Sequence, residues 1–230
     1  AGVEVAPARR AVRAERYRGE RVAAEVPPCA AALIAVKPGD VGVAVAAAVA
    51  AGATRVLSIA AGVSIAQLEA AAGPGVAVVR AMPNTPALVG QGAAAIAGGT
   101  TATDDDLSWA EEILGAVGSV VRVPEHQLDA VTGLAGSGPA YVFLVAEALI
   151  DAGVLAGLAR PVSEALVVQL LVGSAALLAE RGDAAQLRAM VTSPGGTTAA
   201  GLRRLEEHGV RAAMLEAVMA ATERSRELRG

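Results

Sequence analysis

The sequence predicts an α/β amino-terminal half built on a parallel, doubly wound sheet and an all-helical carboxyl-terminal half, divided near Pro124. Three observations carry this. Before Pro124, short apolar runs alternate with amphipathic or Ala-rich segments, the pattern of strands joined by crossover helices. After Pro124 the segments lengthen, opened by prolines and closed by glycines, as helices are. The 230 residues are 54% hydrophobic and 18% charged, enough apolar surface for one or two folded domains. The expected domains are residues 1–124 and 125–230.

Taken in order, residues 31–36 (AALIAV) are expected to form a buried strand stopped by Lys37-Pro38. Residues 55–59 form a second, closed by Ala60-Ala61-Gly62, and residues 77–79 a third, leading into Arg80-Ala81-Met82-Pro83-Asn84-Thr85-Pro86. Residues 93–97 and 120–123 supply two more. Between them, residues 43–51 and 64–72 have helical composition, with Ser64 as N-cap and Gln67 completing a capping box. Asp104, Asp105 and Asp106 cap a helix to about Gly115 and place negative charge at its start. In the second half, Pro139 opens a helix over residues 140–152 that ends at Gly153, and Pro161 opens another that ends at Gly182. Helices over residues 199–208 and 211–229 complete the set. Residues 165–179 are uncharged on every face, and a helix apolar all round must be buried on all sides. A half-chain of this size can hardly cover it. Helix packing between subunits is therefore expected, with Gly173, Ser174 and Ala175 permitting close approach.

Composition narrows the function. The chain has 56 Ala and 26 Gly, and of 19 basic residues the sole lysine is Lys37; the sole asparagine is Asn84. Such a bias reflects a GC-rich genome. A net charge of −4 with 2% aromatic residues argues against a nucleic-acid platform, which needs a basic stripe and stacking rings. One cysteine, Cys29, excludes a disulfide framework and a multi-thiolate metal site. Mean hydropathy is +0.50, yet no segment reads as a membrane span. Residues 41–53 are too short, and residues 81–103 contain prolines and many glycines. No basic-then-apolar signal peptide opens the chain. The expectation is a soluble, cytoplasmic protein whose surplus apolar surface lies in a subunit interface.

Five stretches, in four groups, carry chemistry. Ala35, Val36, Lys37 and Pro38 follow the first of these strands, where ligands of open α/β sheets bind and a lysine can meet a phosphate or carboxylate; a surface lysine after a strand is the plainer reading. Ile59, Ala60, Ala61 and Gly62 are small enough to admit a flat ring, or simply pack tightly. Met82 to Pro86 is held extended by its prolines and presents the Asn84 carboxamide, unless it is an ordinary proline turn. Finally, Gly136-Ser137-Gly138-Pro139 and Ser193-Pro194-Gly195-Gly196-Thr197-Thr198 each run into a helix, where free N–H groups form an anion nest or only a capped turn. His126 and His208 are too far apart in sequence for a metal site, and no Gly-x-Ser-x-Gly elbow is present. Binding and orienting a charged substrate suffices if a cofactor reacts.

In order, these stretches resemble the Δ1-pyrroline-5-carboxylate reductase family. The matching segments are Ala35-Val-Lys-Pro38, Ala60-Ala-Gly62, Arg80-Ala-Met-Pro-Asn-Thr-Pro-Ala-Leu-Val89, Leu128-Asp-Ala-Val-Thr-Gly-Leu-Ala-Gly-Ser-Gly-Pro-Ala-Tyr141 and Val191-Thr-Ser-Pro-Gly-Gly-Thr-Thr-Ala-Ala-Gly-Leu202. The resemblance implies a Rossmann domain binding NADPH or NADH, and a helical domain through which homodimers interlock and often assemble into decamers. Each active site of the family lies between the Rossmann domain of one subunit and the helical dimer core. By the same resemblance Ala35, Val36, Lys37, Pro38, Ile59, Ala60, Ala61, Gly62 and Asn84 serve the cofactor. Ser193, Gly195, Gly196, Thr197 and Thr198 hold the substrate carboxylate, with Thr198 near the ring nitrogen as candidate catalytic residue. Residues 1–30, with six Arg and four Glu, match the family poorly. Only 34 residues precede Ala35, without a Gly-x-Gly-x-x-Gly fingerprint, so the expected Rossmann domain lacks its first strand and glycine loop.

The implied activity is reduction of a cyclic imine to L-proline. A non-catalytic or cofactor-deficient oligomeric remnant is the alternative. A reductase of β-hydroxy acids on the same plan is disfavoured, because its catalytic lysine would lie in the helical domain and no lysine follows residue 37. The lone Lys37 and lone Asn84 both fall inside motif stretches, which makes them the first two positions to substitute.

Overall fold

The computed structural model describes residues 2–3 and 22–229. The expectations for residues 1–30 fall largely outside them. The chain divides into two compact units, one of residues up to Gly136 together with those from Thr222, the other Ser137–Ala221. Compactness thus divides the chain later than the change from alternating to helical structure, with residues 125–136 and the last turns of the final helix belonging to the sheet unit.

In the sheet unit, β1 (Gly2–Val3) pairs in parallel with β2 (Val22–Ala23). The main sheet has five strands in sequential order: β3 (Ala31–Ile34), β4 (Arg55–Ser58), β5 (Ala77–Met82), β6 (Gly92–Gly98) and β7 (Gly118–Arg122). Helices α1 (Val41–Ala50), α2 (Ile65–Ala72) and α3 (Asp104–Gly115) connect them. Period-2 alternation sends neighbouring side chains to opposite faces. Val56 and Val78 join Val41, Val45 and Leu68 in one core cluster, while Leu57 and Val79 join Ile96, Ala110 and Leu114 in another. Both faces are therefore covered, as a doubly wound arrangement requires.

The sheet is not parallel throughout. β3, β4 and β5 run parallel, but β6 is antiparallel to β5, and β7 is parallel to β6. The cause is connection length. Residues 83–91 are too few for a crossover, which needs a dozen or more. They instead form a 3-10 turn over Thr85–Val89 that reverses at Gly90, whose φ of 72° is left-handed.

Local caps follow the side-chain chemistry. Ser64 Oγ accepts from Gln67 N at 3.2 Å, and Ser64 N donates to Gln67 Oε1 at 2.8 Å, a complete capping box. For α3 the cap is Thr103, one residue earlier than the expected aspartates: Thr103 N donates to Asp106 Oδ2 at 2.9 Å, and Asp106 N donates to Thr103 Oγ1 at 3.4 Å. The Thr103 N–H holds the Asp106 carboxyl below its usual range. A carboxylate with a depressed folded pKa stabilises above its unfolded pKa, and the contribution disappears as pH falls through the folded value. Asp106→Ala is therefore expected to cost about 1 kcal/mol at neutral pH, with the difference closing in acid. Urea melts of both proteins at the two pH values check this.

The helical unit contains α5 (Gly138–Leu155), α6 (Arg160–Arg181), α7 (Ala184–Met190), α8 (Thr197–Glu207) and the first part of α9 (Val210–Arg229); the short α4 (Leu128–Val131) precedes it in the sheet unit. Two expectations are corrected here. Gly153 does not end α5, which continues to Leu155; the chain turns instead at Gly157, with φ 102°. Gly153 is where α5 meets α6, since a Cβ there would overlap Ser163 Oγ. Ser163 is 1% exposed, and its hydroxyl donates to the Ile150 carbonyl at 2.8 Å. Secondly, the run Glu125–Leu155 and α6 are each long and apolar enough, by length and composition, to cross a membrane. The first exceeds the sequence expectation because helical structure runs on through Gly153, whereas α6 stops before Gly182 as expected. α7, capped by Asp183 through Ala185 N and Gln186 N, was not expected at all.

Candidate active site

β3 and β4 end side by side, with Ile34 in register with Ser58 and Ile59 N donating to the Ile34 carbonyl at 3.1 Å. Parallel pairing thus brings two predicted stretches, residues 35–38 and 59–62, to one carboxyl edge of the sheet, the edge where open α/β sheets bind ligands. Ala35, Val36, Lys37, Pro38 and Ala61 are exposed there, Ile59 and Gly62 are partly buried, and Ala60 is buried. Lys37 N-caps the 3-10 turn Pro38–Asp40, its carbonyl accepting from Asp40 N at 2.9 Å, and its side chain has no ion-pair or hydrogen-bond partner among the described residues. Small exposed side chains and a free cation fit a flat ring and an anionic group. The loop after β4 is fixed at its start by Ser58, whose Oγ accepts from Ala60 N at 3.4 Å, and turns at Gly62 with φ 76°.

Asn84 follows β5, which pairs in parallel with β4, and so stands at the same carboxyl edge of the sheet. Its Nδ2 donates to the Ala135 carbonyl at 3.0 Å, and its Oδ1 accepts from Ala93 N at 2.8 Å. The carboxamide therefore ties the extended 82–86 segment to the start of β6 and to the π-helical turn Thr132–Gly136. A Cβ on Gly136 would lie 2.7 Å from Met82 Cε, so the same turn packs on the motif methionine.

The Ser193–Thr198 stretch belongs to the helical unit. Gly195 has φ 71°, a conformation that L side chains rarely adopt. Gly196 is the N-cap of the eleven-residue helix α8 and supplies no side-chain cap. No side chain therefore occupies the first-turn N–H groups, and the helix dipole adds positive potential at that end. Ser193 and Thr197 are exposed and Thr198 is half-buried. None of the three hydroxyls makes a hydrogen bond to the described residues. Three free hydroxyls and a row of free N–H groups are donors suited to one carboxylate.

Sequence reasoning missed two charged groups buried in the sheet unit. Arg80, 2% exposed on β5, pairs with Glu125 at 2.9 Å, and Glu125 Oε1 also accepts from Ile65 N at 2.7 Å. One carboxylate thus locks the start of α2 to the central strand. Asp129 is fully buried on α4, accepts from Ser225 Oγ at 2.9 Å through Oδ1, and has Arg229 Nη2 2.6 Å from Oδ2. That second approach is a Coulombic contact, off the line of a hydrogen bond. The available signal was that Asp129 is the sole Asp, Glu, Lys or Arg in residues 126–146.

Known proteins resemble this chain in sequence and in fold. The family described as pyrroline-5-carboxylate reductase dimerisation matches residues 125–228. Pyrroline-5-carboxylate reductase of Synechocystis sp. is 52% identical over 199 residues, covering 85% of this chain and 74% of that protein. The Mycobacterium tuberculosis protein of the same name is 49% identical over 191 residues, covering 75% of this chain and 65% of that protein. Among solved structures, a pyrroline-5-carboxylate reductase from Coxiella burnetii superposes with a TM-score of 0.91 at 32% identity, over 99% of this chain and 87% of that one. The Plasmodium falciparum enzyme, solved with NADP bound, gives 0.79 at 34% identity, over 88% and 78% of the two chains.

Proposed function

This chain belongs to the pyrroline-5-carboxylate reductase family, and from that premise we propose that it reduces 1-pyrroline-5-carboxylate to L-proline with NADPH or NADH, the last step of proline biosynthesis. The observation that supports the reading most is the donor set of the Ser193–Thr198 turn, because the substrate is a small ring whose one fixed charge is a carboxylate.

Ser193, Gly195, Gly196, Thr197 and Thr198 hold that carboxylate through hydroxyl and backbone donors, and so fix the ring in one orientation. Orientation is the main contribution asked of the protein. Ala35, Val36, Lys37, Pro38, Ile59, Ala60, Ala61 and Gly62 hold the dinucleotide, with Lys37 as the cation for its phosphates. Asn84 serves the cofactor by positioning, since its carboxamide is engaged by Ala135 and Ala93. The hydride to the imine carbon would come from the dinucleotide that these residues hold. The protonated imine is already electrophilic, so no strong protein acid is needed; hydride addition leaves a neutral amine, which takes its second proton from water directly or through the Thr198 hydroxyl.

Oligomerisation follows from the dimerisation region that the chain carries. Phe143, Leu144, Leu166, Val168 and Leu170 are all more than half exposed in the single chain. We place a second copy of the chain over this surface, giving a homodimer through the carboxyl-terminal helices and, by further association, decamers. Cover by protein rather than lipid, with no nucleic-acid partner and a cytoplasmic location, completes the reading.

The test is imine-dependent oxidation of NADPH and NADH by the purified protein. Turnover supports the reductase; oligomer without turnover or dinucleotide binding supports the remnant. Within an active protein, Thr198→Ala is expected to lower kcat or raise KM for the imine by about tenfold, and unchanged values of both would remove Thr198 from the proposal.

A further inference from the structure

The end of α9 stands directly behind the loop that follows β4. A Cβ on Gly62 would lie 3.5 Å from the Leu228 carbonyl oxygen, ordinary van der Waals distance, so loop backbone and helix backbone are in contact there. Ala60, Ala61 and Gly62 carry no side chain long enough to anchor the loop. Its start is held by Ser58 and the residues beyond it by Glu125 at Ile65 N. Between those points Ala60 and Val63 are seated in the core, while the Gly62 backbone rests against the end of α9.

The helix end is itself held by a buried ionic contact. Thr222, Ser225 and Arg229 lie three and four residues apart, on one face of α9. Thr222 and Ser225 are buried, and Ser225 and Arg229 both reach Asp129 on α4. A fully buried carboxylate is costly to desolvate and is a weak source of net stability compared with apolar packing. What such a contact does supply is a defined geometry.

We propose that Asp129, with Ser225 and Arg229, is a clamp that sets the end of α9 as a backstop for the Ile59–Gly62 loop, and so tunes dinucleotide affinity without touching the dinucleotide. This rests on the functional reading above, in which that loop serves the cofactor. Asp129 and Arg229 are then positioning residues. Releasing either lets the loop sample conformations that cannot bind, and apparent affinity falls by the fraction of competent protein.

Asp129→Asn and Arg229→Gln test the clamp in the purified protein. Two quantities are read: amide hydrogen exchange over residues 59–63 without ligand, and Kd for NADPH and NADH by direct titration. Both variants are expected to lose exchange protection over residues 59–63 and to bind the dinucleotide at least about fivefold more weakly, while KM for the imine stays within about twofold. A lowered Tm with unchanged exchange at 59–63 and unchanged Kd would overturn the clamp and leave a purely structural role. If Asp129→Asn does not fold, Arg229→Gln, at a side chain 26% exposed, decides by the same readings. If the unsubstituted protein binds neither dinucleotide, the functional reading fails, and exchange over residues 59–63 alone decides the clamp.

Discussion

Gly196→Ala is expected to raise KM for the imine by about tenfold to a hundredfold, the worth of a lost hydrogen bond to a charged group. The reason is local. A Cβ at residue 196 would stand 2.5 Å from Ser193 Oγ and 3.2 Å from the Ser193 carbonyl oxygen. The hydroxyl is the movable partner, so it must swing away, and the carboxylate loses one of its donors. The Gly196 backbone has φ −78°, which alanine adopts without strain, so α8 itself should persist. Dinucleotide Kd and melting temperature are accordingly expected to stay near their unsubstituted values. Steady-state kinetics with varied imine, beside dinucleotide titration, separate the two effects; an unchanged KM would mean that Ser193 is not a carboxylate donor.

Gly153→Val is expected to be the most destabilising substitution in the helical unit, costing about 3 kcal/mol or more. The new side chain would drive into Ser163, whose Cβ lies 3.1 Å from the ideal Cβ position and whose Oγ overlaps it. Ser163 is buried and bonded to the Ile150 carbonyl, so displacing it also strands a buried hydroxyl. α5 and α6 must then separate, and the apolar surface proposed for the second copy no longer has one shape. Urea melts are expected to show the loss of stability, and sizing chromatography a shift toward smaller species. A coupled test uses Gly153→Ala with Ser163→Gly. The double variant should be more stable than the sum of the single effects predicts, because the second change removes the atoms that the first one meets. Simple additivity would place the cause elsewhere.

Much of the fold was legible because its signals are local. The strands at 31–34 and 55–58 are apolar runs with clear stops, and the Ser64–Gln67 box needs only four residues to specify itself. The direction of β6 was not written in residues 92–98. It lay in the length of the connection before them, which leaves no room for a crossover. Gly153 shows a second kind of ambiguity. Glycine after a helical run signals either a stop or a close approach, and only Ser163 on the next helix decides between them. The site followed the same division. That residues 35–38 and 59–62 share one edge follows from parallel pairing of adjacent strands. That the Asn84 carboxamide is already engaged does not, since its partners come from residues 93 and 135. Asp129 was hardest of all, because Ser225 lies 96 residues further along the chain.

The most direct test of reductase function follows the hydride itself. The purified protein is supplied with 1-pyrroline-5-carboxylate and NADPH carrying deuterium at the transferable nicotinamide position, and the product is examined by mass spectrometry and NMR. The account predicts L-proline with one deuterium on the ring carbon that had been the imine carbon, formed in step with dinucleotide oxidation. Proline without deuterium, or no dinucleotide oxidation by a protein shown to be folded and oligomeric, would contradict it.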